Sequence, residues 1–150
     1  MQSKNIPLYV KSFLHPKTAG TIVGKASKEE SIPTFIVKSN QVLLSISSRD
    51  FSFIVEDHLS KIFEAFASHK INMNLMQNSA ISFSVCVDDS GEKLLQLIAE
   101  LSVNFDLKSN TNLELLTVTY YDDKAITKLT KGKTILLEQR TRATVQFVLK

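Results

Sequence analysis

The chain has 150 residues, 43% of them hydrophobic and 22% charged, enough to bury a core without disulfides or metals. Its net charge of +3 is spread among interleaved acids, and the one basic stretch, Lys124 to Lys133 with Arg140 and Arg142, has no aromatic stacking platform, so nucleic acid is not an expected partner. A single cysteine, Cys86, rules out an internal disulfide, and no apolar run approaches the ~18 residues of a membrane span, so a cytoplasmic protein without membrane contact is expected.

Residues 1–33 read as irregular. An extended run over 7–13 leads to His15-Pro16 and Gly20-Thr21-Ile22-Val23-Gly24, and a polar loop over 25–31 closes at Pro33. Residues 34–38 and 42–46 are alternating, β-branched runs split by Ser39-Asn40, which predicts two strands. Leu59, Ile62, Phe63, Phe66 and Ala67 then recur at i, i+3, i+4, i+7 and i+8, one apolar helix face with Ser60, Lys61 and Glu64 outward and Asp57 placed as an N-cap. Burying Leu59, Ile62, Phe63 and Phe66 would contribute roughly 6–12 kcal/mol gross. Alternating runs over 71–76 and 81–87 predict two strands with a bend at Asn78-Ser79-Ala80. Asp89-Ser90-Gly91-Glu92 reads as a capping box opening a second helix through Leu94, Leu95, Leu97, Ile98 and Leu101, and a strand near 103–107 follows. The order over 42–108 is β-α-β-β-α-β, the ferredoxin-like arrangement.

A shorter unit follows: a strand over 113–121, a helix over 123–130 ending at Gly132, and a hairpin of 134–139 with 144–149. Its missing strands are expected from 7–39. The expected fold class is α+β, with two ferredoxin-like βαββαβ modules, the first (41–108) inserted into a discontinuous second (1–40 plus 109–150) that lacks its last helix.

Catalytic chemistry finds little footing. Gly132-Lys133-Thr134 resembles the tail of a phosphate loop, but the glycine required five residues earlier is Thr127 and the tripeptide precedes a strand. His15, His58 and His69 are far apart, so no metal site is expected. His69 reads as a helix C-cap; His58, in the first helical turn, is either exposed or facing a ligand. The pairs Glu29-Glu30, Asp88-Asp89 and Asp122-Asp123 point apart on strands or turns, and two of them sit where helix caps belong. No serine or Cys86 has a neighbouring base, so no catalytic residue is assigned. A binding reading remains: the loop over 49–57 brings free N–H groups to the first helix, where a carboxylate would gain roughly 0.3–1 kcal/mol. Asn72 and Asn74 on the next strand either grip an α-amino group or face solvent.

These residues resemble a known family. Ile6-Pro7-Leu8-Tyr9-Val10-Lys11-Ser12, then Pro16 and Gly20-Thr21-Ile22, is similar to the segment of aspartokinases that leaves the kinase domain. His58-Leu59-Ser60-Lys61-Ile62-Phe63, Ile71-Asn72-Met73-Asn74-Leu75 and Asn78-Ser79-Ala80-Ile81-Ser82-Phe83-Ser84-Val85 are similar to the first of the paired ACT domains in that family's C-terminal regulatory region, in its monofunctional lysine-sensitive type. The resemblance implies a parent enzyme that phosphorylates the β-carboxylate of aspartate with ATP and magnesium held in a separate kinase domain. This part, itself without cofactor or activity, would sense an amino acid, lysine or threonine. It would form a homodimer through its ACT domains and regulate its own kinase domain; the alternative is a structural dimerisation module that binds no effector. Carried over, the effector site comprises Asp57, His58, Leu59, Asn72, Met73, Asn74, Asn78 and Ser79. Asn74 stands where the family has an aspartate, and Ala80 where it has a glutamate, which weakens the expectation for lysine because a buried ammonium needs a carboxylate.

Overall fold

The computed structural model describes residues 6–23, 33–50 and 53–150, and the chain divides into two units, Met1–Ser31 and Ile32–Lys150. In the first unit, β1 (Leu8–Val10) pairs antiparallel with β2 (Thr21–Val23), Leu8 opposite Val23. Gly20 precedes β2 at φ +72°, where an added Cβ would lie 2.5 Å from the carbonyl oxygen of Val10. Only glycine fits there. Both strands expose their apolar residues, among them Tyr9, Ile22 and Val23. The expected loop over 25–31 and the pair Glu29-Glu30 lie outside the described residues.

The second unit is built on two long strands. β3 (Thr34–Ser48) and β6 (Phe105–Thr119) are each 15 residues long and run antiparallel along their whole length, from Thr34 opposite Thr119 to Ser48 opposite Phe105. Between them in sequence come α1 (Glu56–Ser68), β4 (Met73–Asn78), β5 (Ser82–Asp88) and α2 (Glu92–Leu101); after β6 come α3 (Asp123–Thr130), β7 (Ile135–Arg140) and β8 (Thr144–Leu149). All strands of this unit join one antiparallel sheet of order β4-β5-β3-β6-β8-β7. Among the described residues no helix is long and apolar enough to cross a membrane.

The sequence reading expects separate strands where the structure has one. Ser39-Asn40 does not end a strand; β3 passes through as a bulge, with register shifts between Lys38, Gln41 and Leu43. Asn40 takes φ +55°, and Asn112 on β6 takes φ +57°. Asparagine tolerates this left-handed region better than other non-glycine residues. Both lie in the short stretch where the β3–β6 register shifts, so the two strands bend at about the same level, and the sheet curls. On one side of the bend, β4, β5, β3 and β6 carry α1 and α2; on the other, β3, β6, β8 and β7 carry α3. Each half has the ferredoxin-like strand order, and the α+β expectation holds.

Alternation along β3 sorts the core into layers. Val42, Leu44 and Ile46 face α1 and α2, with Ile62, Phe66, Phe83, Val85, Leu94, Leu97 and Phe105. Leu43 points the other way and joins Leu75, Cys86, Leu113, Leu115, Leu137 and Val148. That cluster includes residues of both edge strands, β4 and β7, so the back faces of the two halves close on each other. A third cluster, Leu116, Val118, Val145, Phe147 and Leu149, lies under Tyr121, Ile126 and Leu129 of the α3 segment.

Helix details differ from expectation in informative ways. α1 buries Ile62, Ala65 and Phe66, whereas Phe63 stays 42% exposed, edge-on to Phe83, and Ala67 is exposed. Its periodic stripe admits two neighbouring registers, and the sheet selects the one centred on Ile62 and Phe66. Asp57 is not the N-cap of α1. Val55 is, because the Ile54 N–H donates to the Ala80 carbonyl at 2.9 Å and fixes the entry two residues earlier, leaving Asp57 in a first turn that favours its charge. The box expected at α2 is absent: Gly91 is the N-cap without side-chain help, and the Asp89 carboxylate accepts from the Gly91 N–H at 3.0 Å. At α3 the capping expectation holds, Asp122 accepting from the Ala125 N–H at 2.6 Å.

Candidate functional site

The eight residues singled out from the sequence fall at two ends of β4. At one end, the Ile54–Ala80 hydrogen bond draws the loop before α1 against the turn that follows β4. Asp57, His58 and Leu59 on α1 and Asn78 and Ser79 at the turn therefore share this end. Asp57 and Asn78 are exposed, and Leu59 is half-buried against the core. His58 is half-buried; its Nδ1 accepts from the Val55 N–H at 3.4 Å, and its ring meets Phe105 edge-on at 5.7 Å. The Ser79 hydroxyl is engaged in its own turn, donating to the Ser82 carbonyl at 3.0 Å and accepting from the Ser82 N–H at 3.2 Å. Residues 51 and 52 of the expected 49–57 loop lie outside the described residues.

Asn72, Met73 and Asn74 sit at the other end of β4, about 13 Å away for a four-residue step along a strand. Asn72 is exposed, and Met73 packs on the core under α1 and α2. Asn74 belongs to a polar cluster at the bend. Its Nδ2 donates to Gln41 Oε1 at 2.9 Å and to Asp88 at 3.1 Å, and its Oδ1 accepts from the Lys38 ammonium at 2.9 Å. Within one chain, then, the two groups of residues do not converge.

That cluster is what sequence reasoning missed. Gln41 is fully buried, the only buried polar residue among those described. Its Nε2 donates to Asp88 at 2.7 Å and to the Ser39 carbonyl at 3.1 Å, and its Oε1 also accepts from the Cys86 thiol at 3.5 Å. Lys38 pairs with Asp88 at 2.9 Å. The available signal was a glutamine opening the apolar run Val42-Leu43-Leu44, directly after an asparagine suited to a bulge. Burial pushes the Cys86 thiol up to about 11, with the Asp88 charge adding to it, so the thiol stays protonated and unreactive.

The Gln41 amide, then the Lys38 ammonium, hold the Asp88 carboxyl below its ordinary value. A lowered folded pKa contributes stability that is present above the unfolded value of about 3.9 and is lost as pH falls through the folded value. Urea midpoints measured from neutral to acid pH are therefore expected to fall below about pH 4, and to fall less steeply in Asp88→Asn. Asp88 is half-exposed, so this effect is small.

The sequence matches no protein-family profile and no curated relative. Solved structures are similar in fold. Escherichia coli aspartokinase III in complex with lysine and aspartate superposes with TM-score 0.75 at 21% identity, covering 98% of this chain and 36% of its own. Aspartate kinase from Clostridium acetobutylicum gives TM-score 0.78 at 17% identity, covering 99% and 39%. A C-terminal regulatory domain of aspartate kinase from Porphyromonas gingivalis gives TM-score 0.66 at 17% identity, covering 81% and 88%. The chain thus spans little more than a third of the two whole enzymes. It has the fold of the ACT-type regulatory region of aspartokinases.

Proposed function

We propose that this chain is the amino-acid-sensing, dimerising regulatory region of an aspartokinase, with 41–108 as the first ACT domain and 1–40 plus 109–150 as the second. The observation that carries the proposal is the bent pair β3 and β6, which threads two ferredoxin-like halves on shared strands and is matched over 98% of the chain by an aspartokinase bound to lysine and aspartate. In the intact cytoplasmic enzyme a separate kinase domain, using ATP and magnesium, would transfer phosphate to aspartate, and this region would set its activity.

The split of the site residues supports assembly as a dimer. β4 is an edge strand. Two copies related by a twofold axis beside it would bring the Asn78–Ser79 end of one edge toward the Asn72–Asn74 end of the other. The effector would then be enclosed by Asp57, His58, Leu59, Asn78 and Ser79 of one chain and Asn72, Met73 and Asn74 of the second copy. Its binding would shift a two-state equilibrium of the attached kinase by about 1–3 kcal/mol. Asn74 already accepts from Lys38, so an effector without net charge such as threonine is preferred over lysine, whose second, side-chain ammonium would have to compete for the same oxygen.

Isothermal titration of the chain with lysine, threonine and methionine, with its mass in solution measured alongside, tests this reading. A dimer that releases or takes up heat with one of them is the expected result. A dimer silent toward all three would leave only the structural module, and a monomer would remove the shared site altogether.

A further inference from the structure

A cleft of about 350 Å³ opens between the first two turns of α1, the end of β3 and the start of β6. It shares His58 with the effector residues but otherwise lies on the side of α1 away from β4. Its polar lining is unevenly satisfied. Arg49 donates through Nη2 to the Ser102 carbonyl and through Nε to the Phe105 carbonyl at 3.5 Å, so among the described residues its charge meets carbonyl oxygens and no carboxylate. Lys61 lines the same cleft and makes neither an ion pair nor a hydrogen bond with any described residue; the Asn104 side chain is likewise without a partner. Because Nδ1 of His58 accepts from Val55, its Nε2 is the ring's remaining donor position. One acid, Asp50, also lines the cleft, and it is hydrogen-bonded to Ser48.

Four groups that donate and do not accept, or that have a donor to spare, therefore line one concavity together with the buried Phe105. We propose that this cleft binds the oxyanion head of a small metabolite, a phosphate or a carboxylate, held by Lys61, Arg49, the His58 Nε2 and the Asn104 amide. An oxyanion accepts several hydrogen bonds at once, and charge-assisted donors are the strongest available to it. The neighbouring cleft along α1, about 260 Å³, shares Lys61, Asn104 and Phe105 but is lined by Glu64 and Glu100. Those two acids repel a polyanion running along the groove, which restricts the occupant to a small molecule rather than a nucleic acid.

The test is nuclear magnetic resonance of the whole chain, titrated separately with inorganic phosphate and with succinate, each against sodium chloride at equal ionic strength. Saturable shifts confined to Ser48–Arg49, His58, Lys61 and Asn104 are expected from at least one of the two, and which one responds tells phosphate from carboxylate. Lys61→Ala, at an exposed helix position, is expected to weaken that binding on the order of tenfold, and Lys61→Arg to retain most of it. Shifts that never saturate, shifts equal to those with chloride, or a Lys61→Ala variant that binds unchanged would each overturn the proposal. Because neither Lys61 nor Asn104 belongs to the effector set, loss of anion binding with amino-acid binding intact, or the reverse, separates the two sites.

Discussion

Phe147→Ala is expected to destabilise the whole six-stranded sheet by about 3–5 kcal/mol, in a single transition. Phe147 is among the largest fully buried side chains, and it packs with Leu116, Val118, Val145 and Leu149. α3 buries no residue completely and covers this layer only with half-buried side chains. The loss does not stay local. Leu116 and Val118 lie on β6, which continues through Asn112 into the half that carries α1 and α2, and its partner β3 makes the same passage. Melting either half removes one of the two strands' pairing partners in the other. Urea unfolding followed by far-ultraviolet circular dichroism and by tyrosine fluorescence is the measurement. The chain has no tryptophan, and of its three tyrosines Tyr121 packs against the Phe147 cluster whereas Tyr9 and Tyr120 are exposed, so the two probes report the whole sheet and chiefly its α3 side respectively. Coincident curves shifted together are expected. Curves that separate would mean that the halves fold independently, and the milder Phe147→Leu keeps the comparison possible if alanine abolishes folding.

The elements that were legible in the sequence are those whose periodicity is local. The bounds of α3, 123–130, are legible because Asp122 is a strong cap and Gly132 follows its end at φ +77°. The hairpin of β7 and β8 and the pair β4 and β5 were legible from alternation alone. The two long strands were not, because Asn40 and Asn112 carry the usual signature of a turn. Whether such a residue ends a strand or bends it is decided by what lies across from it, and here both bends fall in the stretch where the β3–β6 register shifts. The register of α1 was hidden for a related reason: Phe63 and Ala67 are apolar and correctly spaced, and only the sheet determines that Ala65 takes the buried place. The candidate site divided along the same line. Asp57, His58 and Leu59, or Asn78 and Ser79, are neighbours in sequence and stay together in the fold, whereas Lys38, Gln41, Asn74 and Asp88 come together across separations of up to 50 positions. No spacing rule links them.

That long-range cluster makes Gln41 the position where a polar substitution should cost most. Gln41→Ala is expected to lower stability by about 2–4 kcal/mol, combining a cavity beside Leu43 and Cys86 with the loss of hydrogen bonds to Asp88, Asn74 and the Ser39 carbonyl. Lys38→Met serves as the comparison. Lys38 also touches Asp88 and Asn74, but its side chain is 42% exposed, so its ion pair is screened and its loss should cost under about 1 kcal/mol. If the cluster were only a surface ion pair, the two variants would rank equally or in reverse. Cys86 supplies a local readout that global unfolding does not. It is the chain's single cysteine, fully buried, with its thiol pushed up to about 11 and donating to Gln41. Removing the glutamine side chain opens space against the sulfur at the bend. Labelling of native protein by a thiol-reactive dye at neutral pH should therefore be slow in the parent chain and in Lys38→Met, and markedly faster in Gln41→Ala under conditions where all three are folded. Equal labelling rates would show that the bend holds its shape without Gln41, and that the network follows the fold of β3 rather than helping to set it.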